Sequence, residues 1–293
     1  MKKLITIRQA TGRHWVGDGF PVRSLFSYQD AGAQLSPFLL LDHAGPHQFA
    51  PATVARGVEE HPHRGFETVT IVYDGEVDHR DSAGGGGRIQ PGDVQWMTAA
   101  SGLVHEEKHS PEFTRTGGRF HMAQLWVNLP ARDKMTAPRY QGITSARIPS
   151  VALPGNAGTL RVIAGSYAGS NGPALTFSPI NVWDIRLAKE AQTEFVVPSG
   201  HTAAVVVLSG RVRLGSGEVL GESQIGMLER ENNRFTLHAS EDALILFLGG
   251  APLNEPIAGY GPFVMTTTAE IEQAIEDYQD GKMGQIAQVA DSR

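Results

Sequence analysis

Short apolar segments, each followed closely by a turn, recur along most of the chain and constrain its fold more than any other feature. Examples are 66–73, 94–98 and 203–208, which are rich in valine and other apolar residues, with threonine in the first two. Several of these residue types are favoured in β-strands. The 34 glycines and 17 prolines of the 293-residue chain are spread between such segments. Many short strands separated by turn residues are typical of sandwiches and barrels, so we predict an all-β fold.

The strand pattern stops once, near the middle of the chain, and then restarts. Residues 135–150 are polar and contain two prolines, as expected of a linker. We therefore predict an N-terminal barrel at 1–134 and a C-terminal barrel at 151–293. Asp-Gly at 74–75 separates two strand-like segments, and this dipeptide is a strong hairpin signal. We expect the two strands that flank it to pair with each other.

One segment near the C-terminus has helical periodicity. Ile271, Ala274 and Ile275 recur at helical spacing. Thr267, followed three residues later by a glutamate, forms a capping-box pattern. We predict a short helix at 268–280, whose apolar face packs against the barrel rather than binding a partner.

Composition argues against several classes of protein. A net charge of −6 argues against a general nucleic-acid-binding surface. The chain has no cysteine, which excludes disulfides and thiolate ligands, so any metal must have nitrogen and oxygen ligands. No apolar run approaches the roughly 20 residues of a membrane span, and the run after the N-terminal lysines is too short for a signal peptide. We expect a cytoplasmic protein that binds neither nucleic acid directly nor membranes.

Two pairs of candidate ligands stand out among the strand-like segments. His61 and His63 lie one residue apart, as do His105 and Glu107, and residues i and i+2 of a strand point to the same face. If the two strands face each other across a barrel, three imidazoles and a carboxylate meet at one point. That donor set suits a divalent transition metal. A His-x-His pair alone could also be a solvated loop, and the second pair is what favours a metal.

Five segments resemble the pirin family of bicupins: HPHRGFETV, PGDVQWMTA, SGLVHEE, QLWVNLP and GPFVMTTTAEI. The resemblance extends over about 38–283, which is most of the chain. It implies two tandem cupin barrels, the second of them followed by the short C-terminal helix predicted above, and one metal site in the N-terminal barrel. The metal ligands that it implies are His61, His63, His105 and Glu107.

Two further glutamates lie close to these motifs. Glu67 has the same strand parity as the histidines and stands where a generic cupin has its glutamate ligand. The pirin pattern assigns the carboxylate to Glu107 instead and leaves Glu67 as an alternative or supporting residue. Strand alternation should turn Glu106 away from the metal.

The remaining histidines are interpreted as non-ligands. His79 and His109 are near the motifs in sequence, but most such histidines are on the surface or hydrogen-bonded. The second barrel has no His-x-His pair, and His201 stands alone at the corresponding entry. We therefore predict that the second barrel binds no metal.

The resemblance implies two alternative functions. Some pirins are quercetinases, which open the central ring of a flavonol with O₂ and release CO, and here Glu107 would act as base as well as ligand. Fe(II) fits because four protein ligands leave two octahedral positions open, although Mn, Ni, Cu and Zn are compatible alternatives. We predict a dioxygenase with a flavonol-like substrate.

The alternative is a non-enzymatic regulator that binds a transcription factor or a metabolic enzyme. A monomer is expected, because two barrels in one chain can pair internally.

Overall fold

The computed structural model describes residues 1–10 and 12–287, and within them the chain forms 26 β-strands, which confirms the all-β prediction. The strands up to residue 143 are β1 (Leu4–Gln9), β2 (His14–Val16), β3 (Phe20–Phe26), β4 (Phe38–Phe49), β5 (Gly57–His63), β6 (Phe66–Asp74), β7 (Val77–Asp81), β8 (Gly86–Ile89), β9 (Val94–Thr98), β10 (Leu103–His109), β11 (Gly118–Asn128) and β12 (Arg139–Ile143). The later strands are β13 (Ser150–Ala152), β14 (Gly158–Ala164), β15 (Ser166–Tyr167), β16 (Ser170–Asn171), β17 (Ile180–Leu187), β18 (Gln192–Val196), β19 (Thr202–Ser209), β20 (Val212–Leu214), β21 (Val219–Leu220), β22 (Gln224–Leu228), β23 (Arg234–Ala239), β24 (Ala243–Gly250), β25 (Ala258–Tyr260) and β26 (Phe263–Met265).

Helices are few in the described residues. The α-helices are α1 (Gly32–Leu35), α2 (Pro111–Thr116) and α3 (Thr268–Gln279). Short 3₁₀ turns lie at Ala131–Asp133, Ser145–Arg147 and Pro154–Asn156. The predicted C-terminal helix is confirmed as α3. The Thr267 hydroxyl accepts from the Glu270 N–H and the Glu270 carboxylate accepts from the Thr267 N–H, which completes the predicted capping box. No helix in the described part of the chain is long and apolar enough to cross a lipid bilayer.

The chain divides into two compact units. The histidine unit, which contains His61, His63 and His105, comprises 14–22, 44–144 and the residues from 255 onward. The aromatic unit, named for the stacked rings of its core, comprises 1–13, 23–43 and 145–254.

The histidine unit is built on two sheets. One contains strands in the order β12-β9-β6-β11-β4-β3-β2 and the other in the order β5-β10-β7-β8. A cluster that includes Phe20, Phe49, Phe113 and Phe120 draws on strands of both sheets. β6 lies in the interior of the larger sheet, and all of its residues except the last are buried.

The aromatic unit has the same layout. Its larger sheet runs β1-β22-β19-β24-β17-β14-β13, and its smaller sheet runs β18-β23-β20-β21. The smaller sheet has the same topology as β5-β10-β7-β8: in both, the first strand in the chain pairs with the last, which pairs with the second, and the second pairs with the third. The restart of the strand pattern in the sequence agrees with this repeat. Its core contains a series of stacked rings: Trp183 lies 4.7 Å from Phe247, Phe247 lies 5.2 Å from Phe235, and Phe235 lies 5.1 Å from Phe195.

The two units differ from the predicted division at 1–134, 135–150 and 151–293. β1, which opens the chain, pairs with β22 and belongs to the aromatic unit. α3 packs against β25 and β26 and belongs to the histidine unit. β12, inside the expected linker, pairs with β9. Strand patterns predict where strands occur, but they do not specify which sheet edge a strand completes.

The predicted hairpin at Asp74-Gly75 is wrong. Gly75 has a φ of 84°, which fits a tight turn. However, β6 pairs with β9 and β11, whereas β7 pairs with β8 and β10 in the smaller sheet. The turn therefore leads the chain from one sheet to the other. The dipeptide predicts the turn correctly, but the pairing depends on the sheet in which each strand buries its face.

Candidate metal centre

The two strands that carry the candidate ligands are hydrogen-bonded neighbours. The expectation was that they would face each other across a barrel, but β5 and β10 pair antiparallel within the smaller sheet. His105 lies directly opposite His61, and Leu103 lies opposite His63. Opposite residues in an antiparallel pair have Cβ atoms roughly 5 Å apart. Adjacent strands therefore bring the imidazoles together as effectively as facing ones.

His61, His63 and His105 form a tight cluster. One nitrogen from each ring lies within 4.8 Å of the others. The ring centroids are 4.2 Å apart for His61 and His105, 4.8 Å for His63 and His105, and 4.9 Å for His61 and His63. His63 and His105 are buried, whereas His61 is half-buried. The structure thus brings together all three histidines that the sequence singles out.

The hydrogen bonds of two of these rings leave one nitrogen available to a metal. His61 Nδ1 lies 2.8 Å from the carbonyl oxygen of Glu59, and His63 Nδ1 lies 3.3 Å from that of Pro262. A carbonyl only accepts hydrogen bonds, so each Nδ1 donates and each neutral ring keeps an unprotonated Nε2. Metal-bound histidines commonly donate their other N–H in this way.

The electrostatics of the cluster also fit metal ligands. Burial and the neighbouring imidazoles hold the pKa values of His63 and His105 well below the ordinary value. Both rings are therefore neutral near pH 7, the form that coordinates a metal. His105 Nε2 is buried and has no hydrogen-bond partner in the described residues. A buried polar atom without a partner is costly, and a metal ion at this point would remove that cost.

Glu107 lies beside His105 but belongs to a second cluster. Its carboxylate is grouped with His79 and His105, within the same 4.8 Å limit, rather than with the other two histidines. Thr70 Oγ1 and Gln95 Nε2 lie 2.9 and 3.3 Å from its Oε1. The pairing of β10 with β5 shifts register between His105 and Glu107, and this irregularity accompanies the offset of the carboxylate from β5.

His79 is the residue that the sequence interpretation missed. It lies opposite Glu107 on β7, and its Nδ1 is 3.3 Å from Nδ1 of His105. The signal available in the sequence was the one-residue spacing of His79 and Asp81, which strand parity places on one face; in the structure both are buried. His109, also interpreted as a non-ligand, lies in neither cluster and points its Nε2 at the Gly19 carbonyl, 3.0 Å away.

Asp81 and Tyr140 hold the His79 ring. Asp81 Oδ2 lies 3.1 Å from His79 Nε2, and its Oδ1 accepts from the backbone N–H groups of Ala83 and Gly85. Burial opposes the charge on Asp81, but these hydrogen bonds lower its pKa below the ordinary value. The Tyr140 ring stacks on His79 with centroids 5.2 Å apart and an interplanar angle of 18°. Burial, together with the nearby carboxylates, raises the pKa of Tyr140 to about 12.

The two competing glutamates have separate environments. Among the described residues, Glu67 joins neither cluster, and its Oε1 accepts from Thr98 Oγ1 at 2.7 Å. Burial raises the pKa of Glu67 to about 7. Glu106 faces the other side of β10 and pairs with Arg80 and Lys108, which confirms that strand alternation turns it away from the histidines.

Comparison with known proteins places the chain in a family. The pirin family model matches residues 19–127, and the model of the pirin C-terminal cupin domain matches residues 182–284. The chain belongs to the pirin family. The predicted pair of tandem cupin barrels with a short C-terminal helix is confirmed.

Three similar proteins illustrate the extent of the match. A Pseudomonas aeruginosa protein, provisionally named quercetin 2,3-dioxygenase, is 59% identical over 96% of this chain and 98% of its own length. A crystal structure of quercetin 2,3-dioxygenase from Acinetobacter baumannii is 56% identical, with a TM-score of 0.96, and the match covers 98% of this chain and 100% of that chain. A pirin-like protein from Solanum lycopersicum is 37% identical over 92% of this chain and 88% of its own.

In this pirin, a C-terminal segment is bonded to the turn after His63. Arg64 Nη1 lies 2.8 Å from Asp277 of α3, and its Nε donates to the Ser101 carbonyl at 2.7 Å. Arg64 thus forms a buried salt bridge that joins this turn to α3. The buried ammonium of Lys134 donates to the carbonyls of Gly65 and Val264 and to Asn128.

In the second barrel of this pirin, the strands that correspond to β5 and β10 carry stacked phenyl rings instead of clustered histidines. By sheet order, β18 and β23 correspond to β5 and β10. Phe195 on β18 lies opposite Phe235 on β23, in a stack of phenyl rings. The sequence interpretation placed His201 at the corresponding entry, but His201 lies beyond β18, in the loop before β19.

Proposed function

We propose that this pirin is a metal-dependent dioxygenase of the quercetinase type, with the metal held by His61, His63, His105 and Glu107. The observation that carries the proposal is the cluster of three imidazoles, in which the buried Nε2 of His105 has no partner within the described structure. Proteins named quercetin 2,3-dioxygenase at 56% and 59% identity over nearly the full length support the reaction class.

The donor set fits the metal that such a reaction needs. Imidazole nitrogen and carboxylate oxygen together suit Fe(II), which we propose as the native ion, and they also accept Mn, Ni, Cu or Zn. When bound, a redox-active ion of this kind supplies the electronic link between an organic substrate and O₂ that the reaction requires.

Glu107 is proposed to take the hydroxyl proton of the flavonol as well as to bind the metal. Thr70 and Gln95 both engage Oε1 of this carboxylate and fix its orientation. A positioned carboxylate of this kind can act as general base. Its neighbours on β9 and β6 therefore serve the reaction by holding the base in one orientation.

The test is metal analysis of the purified full chain, followed by assays of quercetin loss and O₂ uptake. Wild type should carry about one metal ion per chain and consume both reactants. His63→Ala should lose metal and turnover. His14→Ala, which removes an exposed histidine of the same unit, should retain both. Iron-loaded wild type that consumes no more quercetin or O₂ than His63→Ala would falsify the enzymatic proposal.

Metal binding without turnover would leave the alternative regulatory function standing. A pull-down from native lysate with the ferrous and the ferric protein then tests that prediction. Retention of a partner in one oxidation state supports it, and retention of none in either state contradicts it.

A further inference from the structure

The Nδ1 atoms of the three clustered histidines have different kinds of partner. Those of His61 and His63 face backbone carbonyls, which can only accept. That of His105 faces another imidazole nitrogen, Nδ1 of His79, at 3.3 Å. Two facing ring nitrogens form a hydrogen bond only when one of them carries a hydrogen and the other does not. The partner of His79 therefore decides which form His105 adopts.

Asp81 determines which nitrogen of the His79 ring carries the hydrogen. Its Oδ1 accepts from two backbone N–H groups, and its Oδ2 lies 3.1 Å from His79 Nε2. An ionised carboxylate only accepts, so His79 Nε2 carries a hydrogen and the neutral ring presents a lone pair at Nδ1. His105 Nδ1 must then donate to His79, which leaves His105 Nε2 unprotonated.

We infer that Asp81 and His79 are positioning residues that fix His105 in the tautomer whose Nε2 can bind the metal. The inference rests on the proposed metal centre and extends it by one layer of residues. It explains why His105 Nε2 is buried without a partner in the described residues, since an unprotonated ring nitrogen has no hydrogen to donate and can bind a metal. Partners of this kind typically change metal affinity 10- to 100-fold when they are altered.

The opposite tautomer of His79, with its hydrogen on Nδ1, has a clear structural cost. If His79 donated from Nδ1 to His105, the neutral His105 ring would carry its hydrogen on Nε2, where no acceptor lies within the described chain. A buried N–H without an acceptor is destabilising. The stacking of Tyr140 on His79 also fixes the ring plane, which keeps Nε2 and Nδ1 aimed at their two partners.

Asp81→Asn provides a nearly isosteric test. The amide oxygen can keep the two backbone N–H donors, which turns the amide N–H₂ toward His79 Nε2. That nitrogen must then accept, so that His79 donates from Nδ1 and His105 Nε2 becomes protonated. A carboxylate that fixes the tautomer of a functional histidine is known to act in this way in catalytic triads. Asp78→Asn is the matched control, because Asp78 lies on the same strand and pairs with Arg88 instead.

The first measurement is long-range ¹H–¹⁵N NMR of histidine rings in the metal-free full chain, with the His105 signals assigned by their loss in His105→Asn. Wild type and Asp78→Asn should show His105 protonated at Nδ1, and Asp81→Asn should show it protonated at Nε2. Wild-type His105 protonated at Nε2, or an unchanged tautomer in a folded Asp81→Asn chain, contradicts the inference. The wild-type spectrum decides the matter even if the variant fails to fold.

The second measurement is calorimetric titration with Zn²⁺, a diamagnetic probe. Asp81→Asn should bind Zn²⁺ 10- to 100-fold more weakly than wild type, and Asp78→Asn should bind it equally well. Equal affinity in all three proteins contradicts the inference, as does an NMR signature of Zn²⁺ on His79 Nδ1. A wild-type chain that binds no Zn²⁺, Fe²⁺ or Ni²⁺ would instead overturn the proposed metal centre, while the tautomer measurement would still test the two hydrogen bonds.

Discussion

Glu67 illustrates how burial at one position sets a pH dependence for the whole chain. Its side chain is only 1% exposed, and burial raises its folded-state pKa from 4.5 to about 7. The contribution of the neutral acid to stability is therefore complete below pH 4.5 and is lost as the pH rises through 7. A pKa shift of this size lowers the free energy of unfolding by about 3 kcal/mol above pH 7, relative to its value below pH 4.5.

Glu67→Gln removes that ionisation while keeping an acceptor for Thr98. We expect the variant to exceed wild type in free energy of unfolding by up to about 3 kcal/mol at pH 8 and to show no such gain at pH 5. Urea denaturation at the two pH values measures the difference. Glu112→Gln, at an exposed glutamate of α2, is the control and should follow wild type at both. A constant difference between Glu67→Gln and wild type across this range would show that Glu67 does not ionise as described.

At the same scale, the sequence predicts the three clustered histidines but not the two residues that hold His105, namely His79 and Asp81. The one-residue spacing of His61 and His63 is visible in the sequence, because strand parity alone places both rings on one face. His79 and Asp81 have the same spacing, but their role depends on β7 lying beside β10. That adjacency arises from long-range pairing, which a single sequence does not specify.

At the scale of elements, the segment that runs through β26 into α3 supports the turn between β5 and β6. Lys134 Nζ joins the Gly65 carbonyl at 2.8 Å to the Val264 carbonyl at 2.9 Å and to Asn128 at 2.6 Å. Three acceptors match the three N–H bonds of an ammonium group. Burial lowers the pKa of Lys134 to about 7, so this group is retained for its hydrogen bonds at a cost in desolvation.

Lys134→Met keeps most of the side-chain volume but removes all three donors. We expect a loss of roughly 3 kcal/mol in the free energy of unfolding, because three buried acceptors lose their partner. Chemical denaturation near pH 6 measures this loss. Lys189→Met, at an exposed lysine, should change stability by less than about 0.5 kcal/mol. A Lys134→Met chain as stable as wild type would mean that the three contacts do not stabilise the fold.

The secondary-structure elements show most clearly which features the sequence predicts and which it does not. α3 is predicted almost to the residue, because its capping box and helical spacing are local signals. The Asp74-Gly75 turn is predicted correctly, while the hairpin inferred from it is wrong. β6 is buried on both faces, so its sequence carries no alternation that would identify the sheet or the neighbours to which it belongs.

At the scale of the whole molecule, each unit includes residues distant in sequence from its main segment. β1 pairs with β22, and Lys2 Nζ donates to the carbonyls of Glu229, Arg230 and Glu231 at 2.9 to 3.2 Å. These contacts lie in the aromatic unit, whereas the imidazole cluster lies in the histidine unit.

Deletion of residues 2–9 should therefore separate stability from metal binding. Loss of β1 and of the Lys2 hydrogen bonds should lower the thermal midpoint by roughly 5–10 °C, as a loss of about 2–3 kcal/mol predicts. Zn²⁺ stoichiometry at 20–25 °C should remain that of the full chain. Calorimetry of unfolding and of Zn²⁺ binding provides both values. A deletion that abolished Zn²⁺ binding while leaving the midpoint unchanged would contradict the division into two units.

The separation between His63 and Pro262 has a consequence for the order in which the protein is made. The strands that carry the clustered histidines, β5 and β10, are both complete once residue 109 has been synthesised. The carbonyl that accepts from His63 follows 199 residues after it, and Asp277, the partner of Arg64, follows 213 residues after that arginine. A nascent chain that stops at residue 254 contains every residue of the aromatic unit but lacks these contacts. The histidine unit, whose three clustered histidines are synthesised early, therefore gains the contacts from 255–287 only after every residue of the aromatic unit has been made.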